Sequence, residues 1–482
     1  MGFTAGQNAI IASVEKHQAG LWRISDNIWH YAELGFQETQ SSKILADVLK
    51  QAGFEVEQGV AGMPTAFTAT WRQGSGKPAL GLLAEYDALP GLSQIKGSPR
   101  QEPLIAGAPG HGCGHNSMGT MQALAAIAFK ELAVQENLNI TLKVFGSPAE
   151  ELLASRPFMV RAGLFRDMDA IIDCHASSRF EAVYGTLGPA LYSLWFDFYG
   201  KTSHAGFDPW MGRSAADAVE LMHAATERMR EHIPPTTRLH WITTFGGDAP
   251  NIVPERAATW YMVRDTDANL RKVMEWVCAC AEAAARMTQT RSEFRILTGI
   301  YQRHYNQALA SLLFKHIEAV GLPPYGRDEE KYARALQRNA GLKEIGLDYQ
   351  IGLNNADAGP FEGGSSDVGD VCMNVPTGCL RFPACVPGSP GHHWTVASAG
   401  ATSIAHKGLS AGAKVVALTL YDLARHSELF VQIKKDFADL IANNPYQSFL
   451  AADTKPPLDF YNETQAKYRE VLAGKFTELK QG

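Results

Sequence analysis

The chain has 482 residues, 45% of them apolar and 20% charged. That balance excludes a disordered or collagen-like polymer and leaves room for a large core. A formal charge of −6 argues against nucleic acid or an anionic membrane as the main partner. No run of 18 predominantly apolar residues occurs, so no membrane span is expected. The seven cysteines form no CxxC pair, which excludes a four-cysteine zinc ribbon and does not resemble a secreted disulfide framework. The opening MGFTAGQNAI has neither a basic n-region nor an apolar h-region, so a cytoplasmic setting is expected.

Residues 6 to 33 and 37 to 52 space their apolar side chains as helices do. The short runs AFTATW, ALGLLAEY, ITLKVFG and AIIDCH follow, each bounded by Gly, Pro or Asp as buried strands are, with a helix over 117–134 between them. Alternating strands and helices predict an α/β catalytic domain with a largely parallel sheet flanked by helices. Residues 188–299 change pattern to strand, helix, strand, strand, helix, strand. This is the ferredoxin-like α+β order of a compact inserted unit. The expected organisation is therefore a catalytic domain in two parts, 1–187 and 300–482, interrupted by that insertion. The polar stretch 322–362 is read as a surface excursion or a lid, and 427–443 as a helix with a solvated face.

Four clusters carry chemistry. GHGCGHNSMGT (110–120) sets Cys113 and His115 two apart, on one face of an extended segment, before a helix capped by Asn116 or Ser117. GSPAEELL places Glu150 and Glu151 directly after a strand, where α/β sheets put their sites. Adjacent carboxylates there can divide labour, one binding metal and the other acting as general base. AIIDCHASS ends a strand at His175, with Cys174 turned toward the core, and GSPGHHWTVASAG brings His392 and His393 in a Gly/Pro loop. Each cluster alone is as well explained by a tight turn, a helix start or a satisfied histidine. Together they supply enough Cys, His and Glu donors for two metal ions with a shared ligand.

These motifs, with EYDALPG (85–91), SHAGFDPWMGRSAADA (203–218) and APNIVPERA (249–257), resemble the M20 metallopeptidase family, the Cys-Gly-His form pointing to its amidohydrolase branch. EYDALPGLSQ, SSDVGDV and TSIAHKG are similar to the p-aminobenzoyl-glutamate hydrolases of that branch. The resemblance implies a dinuclear zinc or manganese amidohydrolase that cleaves N-acyl or N-aroyl amino acids such as p-aminobenzoyl-glutamate. Its metal ligands would be Cys113, His115, Glu151, His175 and His392, the last ahead of His393 by its spacing to TSIAHKG. Glu150 would be the general base, Asp87 the residue orienting a ligand histidine, and His204 a polariser of the scissile carbonyl. Asn251 and Arg264 would meet the substrate carboxylate. A homodimer through the insertion is implied, with a paralogous partner chain as an alternative. Competing functions are an amidase for another N-acyl amino acid, an auxin-type conjugate, a small peptide or an amide toxin. A non-catalytic partner protein would lack the base or the ligands, and all are present.

Overall fold

In a computed structural model, residues 3–358 and 363–481 are described. The strands are β1 (Glu55–Gln58), β2 (Phe67–Gln73), β3 (Ala79–Ala84), β4 (Ile140–Gly146), β5 (Ala170–Ser177), β6 (Phe180–Leu187), β7 (Ala190–Tyr199), β8 (Arg238–Phe245), β9 (Arg256–Asp265), β10 (Arg291–Ile300), β11 (Arg303–Tyr305), β12 (Ile351–Asn355) and β13 (Thr377–Pro383). The helices are α1 (Ala5–Tyr31), α2 (Thr39–Gln51), α3 (His115–Gln135), α4 (Arg156–Arg161), α5 (Ala215–Met229), α6 (Asp267–Thr288), α7 (Gln307–Val320), α8 (Arg327–Asn339), α9 (Val368–Cys372), α10 (Trp394–Ala399), α11 (Ser403–Arg425), α12 (Leu429–Asn443) and α13 (Asn462–Gln481).

Nine strands form one sheet in the order β1-β2-β4-β3-β5-β13-β6-β11, with β12 paired to β6. Its centre, β4-β3-β5-β13, is parallel, and antiparallel pairs flank it. Central strands of this kind are covered on both faces and read as continuous apolar runs; ALGLLA of β3 is buried at every position. On one face α3 lies under α1 and α11, and its first fifteen residues, His115 to Phe129, are all buried. The fold class is the mixed α/β arrangement read from the sequence. The second sheet has the order β10-β7-β9-β8, with α5 and α6 packed on it over a core that includes Phe196, Phe198, Tyr261 and Val277.

Several local expectations change. Helix α3 begins at His115, so Cys113 and His115 do not share an extended segment. Gly114 at φ +86° is the N-cap, and Asn116 and Ser117 lie inside the helix. Strands β1, β6, β11, β12 and β13 are not among those expected from the sequence. The 322–362 stretch is not merely a surface excursion: α8 packs through Ala333 and Leu336 on Val386 and Trp394, and β12 extends the sheet. Its residues 359–362 lie outside the described part.

Candidate metal centre

Strands β3, β4, β5 and β13 run parallel, so their C-terminal ends gather at one edge, the place where open α/β sheets bind ligands. Beyond β3 lie Glu85 and Asp87, beyond β4 lie Glu150 and Glu151, and His175 is near the end of β5; past β13 the loop 384–393 delivers His392. Three non-glycine residues here adopt left-handed backbone: Ala149 (φ 53°), Leu153 (φ 56°) and His392 (φ 53°). Such residues cost about 1 kcal/mol or more each, and cluster where surrounding contacts impose them. Ala149 is so imposed, its N–H donating to Glu38 Oε1 at 2.7 Å. The two glutamates thus leave the strand through a short 3-10 turn, Glu150–Leu152, rather than in extended backbone. Both carboxylates still reach one point.

That point is His115 Nε2, which lies 3.8 Å from Glu150 Oε2, 3.8 Å from Glu151 Oε1 and 3.3 Å from Glu85 Oε2. Asp87 Oδ1 accepts from His115 Nδ1 at 2.8 Å, which turns the Nε2 lone pair toward the carboxylates. Asp87 Oδ2 accepts from the Glu151 N–H at 2.9 Å. His175 donates from Nδ1 to the Ala176 carbonyl at 2.7 Å, leaving Nε2 to face Cys113 Sγ at 3.4 Å. His392 Nε2 is 3.3 Å from Glu151 Oε2. His393 instead caps α10 and holds Thr395.

Three groups of donors, Cys113/His115/His175, Cys113/Glu151/His392 and Glu85/His115/Glu150, each converge within 4.8 Å. Cys113 belongs to the first two. Glu85 Oε2, His115 Nε2 and Glu151 Oε1 are buried without a hydrogen-bond partner. A thiol, imidazoles and carboxylates aimed at shared points, with those orphaned atoms among them, fit divalent cations. Burial sets the electrostatics. It pushes the Cys113 thiol and the Glu151 and Glu150 carboxyls up, the neighbouring carboxylates adding to it. Burial, then His115, brings His175 down to about 3, so that its imidazole is neutral at neutral pH.

Beneath the donors lies an ion-pair network that the sequence reading missed. Arg156 is wholly buried and donates through Nη2 to Glu85 Oε1 at 2.6 Å and through Nη1 to Asp367 Oδ1. Asp367 also accepts from Ser155 N–H and hydroxyl and from Arg156 N–H. Burial lifts the Glu85 carboxyl to about 8, with Arg156 opposing and Glu150 adding. Glu85 directly follows β3 and stands two residues before Asp87, and that placement was the available signal.

The inserted sheet contributes less within one chain. His204 and Asn251 are exposed side by side, His204 bridged to Ile252 and the Asn251 carbonyl accepting from Ala205 N–H. Among the described residues, no hydrogen bond or ion pair joins either to the Cys113 cluster. Arg264, half-buried on β9, donates to Ser365 Oγ at 2.8 Å.

The pattern of peptidase family M20/M25/M40 matches residues 81–296. The chain is 34% identical over 463 residues, 90% of its own length and 95% of the relative's, to a p-aminobenzoyl-glutamate hydrolase polypeptide of Escherichia coli (strain K12). It is 27% identical over 433 residues to a human Xaa-Arg dipeptidase, covering 86% and 88% of the two chains. Its fold resembles that of a dinuclear metal-binding peptidase of the M20 family from Bacillus subtilis, with TM-score 0.54, 17% identity, and coverage of 86% and 99%.

Proposed function

The chain belongs to the M20 family of metal-dependent peptidases and amidohydrolases, and within it we propose that it hydrolyses the amide bond of N-aroyl and N-acyl amino acids, p-aminobenzoyl-glutamate first among them. The observation that carries the reading is the convergence of Cys113 with His115 and His175 and with Glu151 and His392, and Glu150 3.8 Å from His115, at the carboxyl edge of a parallel sheet. Those five residues would hold two divalent ions, with Glu85 a further donor. When bound, such ions polarise a carbonyl and move a water's pKa toward ~7. The thiol donor favours zinc by softness, and manganese is the other candidate.

Glu150 acts as the base. Its carboxylate takes a proton from the attacking water and later delivers it to the leaving amine nitrogen. Asp87 keeps His115 in one tautomer and fixes Glu151 through its backbone, so two ligands are oriented by one carboxylate. Arg264 binds the substrate's α-carboxylate. The 188–299 unit is the lid, and in a homodimer His204 and Asn251 reach the partner's site to complete carbonyl polarisation and carboxylate binding; a paralogous chain is the other possible partner. The setting we propose is cytoplasmic.

The test is release of p-aminobenzoate from p-aminobenzoyl-glutamate by purified protein after chelation and restoration of zinc or manganese. Release that requires the metal and falls by at least about 100-fold in Glu150→Ala supports the reading. Full turnover by a Glu150→Ala protein with metal bound would sink it.

A further inference from the structure

A cavity of about 410 Å³ opens beside the donor cluster, with Cys113 and His175 in one wall and Arg303 and Arg381 in another. Arg381 is answered, donating to Glu181 Oε1 at 2.7 Å. Arg303 is not. Among the described residues no carboxylate lies within ion-pair distance of it, and Asp173 on the neighbouring β5 accepts from Tyr305 Oη at 2.6 Å instead. Among the described residues the Arg303 guanidinium donates only from Nη2, to the Gly364 carbonyl at 2.5 Å, and its Nε is buried without a partner. A guanidinium is charged at every accessible pH, and this one faces the cavity with its Nε unpartnered. An anion entering the cavity would supply the missing partner, and a carboxylate matches the arginine fork.

A second cation is fastened next to the first. Arg264 donates to Ser365 Oγ, which in turn donates to the Pro189 carbonyl at 2.9 Å. The two arginines, one from each sheet, are therefore tied to consecutive residues, Gly364 and Ser365. The neighbouring backbone leaves space for this arrangement: Gly188 has φ +71°, and a Cβ there would lie 2.1 Å from the Gly364 oxygen and 3.0 Å from Arg303 Nη2.

We propose that Arg303 is the specificity residue of the amidase, binding the side-chain carboxylate of a substrate whose α-carboxylate is held by Arg264, so that the enzyme selects N-acylated acidic amino acids. The inference rests on the reading of the site as an amidase. Arg303 and Arg264 then form a clamp across the boundary of the two sheets, with the scissile amide directed at the Cys113–His175 side of the cavity.

The experiment compares kcat/KM for p-aminobenzoyl-glutamate and p-aminobenzoyl-glutamine, using the purified full chain supplied with manganese or zinc. The wild type is expected to favour the glutamate compound by roughly 10- to 100-fold, the range for a hydrogen bond to a charged group. Arg303→Gln is expected to erase the preference by lowering kcat/KM for the glutamate compound far more than for the glutamine compound, and Arg303→Lys to retain part of it. A wild type without the preference overturns the proposal, as does an Arg303→Gln protein that loses both activities equally. Turnover of the glutamine compound reports the amidase chemistry by itself, so failure of that chemistry and failure of the clamp are read separately.

Discussion

Asp87 commits both carboxylate oxygens to the donor set, one to His115 Nδ1 and one to the Glu151 N–H. Asparagine keeps the shape but has one oxygen, so one of the two contacts must go. Asp87→Asn is expected to weaken metal binding roughly 10- to 100-fold with little change in fold, checked by metal titration alongside circular dichroism; unchanged affinity would count against this role. Arg156 shows the opposite balance, since it is wholly buried between Glu85 and Asp367. Arg156→Met leaves two buried carboxylates without their cation and is expected to cost about 3–5 kcal/mol, seen as a lowered urea midpoint. Cys113, His115, Glu151, His175 and His392 were nameable because short runs with Gly, Pro or a strand end beside them match a family pattern; the further donor Glu85 was not named. Arg156 was not, because its partners are 71 and 211 positions away and RPF reads only as a helix start.

Among elements, the entry to α3 is the most constrained. Gly114 must hold φ +86°, and a Cβ added there would meet Ala176 Cβ at 2.6 Å, one residue past His175. Gly114→Ala is therefore expected to lower thermal stability and metal affinity together, by about 1–3 kcal/mol of strain; a variant with both unchanged would show that the turn relaxes freely. Farther from the site, Asp422 of α11 is bonded to His316 and Lys315 of α7 at 3.0 and 2.7 Å. Burial opposes its ionisation, but these two partners outweigh it and hold the carboxyl down to about 2. The native state therefore binds that proton less readily than the unfolded chain does. Its contribution, roughly 2 kcal/mol, is present above pH ~4 and is lost as pH falls toward 2. Urea unfolding of wild type and Asp422→Asn should differ at pH 6 and converge near pH 2. Most elements were legible because apolar runs and helical spacing are local signals. Strands β6 and β13 were not: FEAVYGTL and TGCLRFP mix glycine and charge, and β13 becomes a strand by lying between β5 and β6. Helix α3 was found but placed late, because its first turn is set by a glycine cap and not by apolar spacing.

At the scale of the whole molecule, the C-terminal segment ties the two sheets together. Asn444 bonds Asp267 at 3.0 Å, Tyr192 donates to the Phe449 carbonyl at 3.1 Å, and the Phe449 ring stacks on Tyr301 at 4.4 Å. Farther on, Phe460 packs on Trp260 at 5.1 Å, and Gln37 donates to the Leu458 carbonyl at 3.2 Å. One chain so braced still leaves His204 in solvent. Around it Phe207 is 78% exposed and Trp210 71%, with Met211 and Ile252 also exposed. A contiguous exposed apolar group of this kind suits an interface between copies of the chain. The edge strand β8, with Ile242 and Phe245 exposed, offers further pairing surface. If His204 acts on the partner's donor cluster, a Glu150→Ala chain and a His204→Ala chain are defective in different halves of the same composite site. Each alone should be nearly inactive. Mixed and re-equilibrated in equal amounts, they form heterodimers in which one of two sites is intact, restoring about a quarter of the wild-type turnover under random pairing in a twofold dimer. Light scattering should give the mass of two chains for the wild type, and a Trp210→Ser variant should shift it toward one while its circular dichroism is unchanged. No recovery on mixing, with both proteins dimeric and exchanging, would place His204 outside the site.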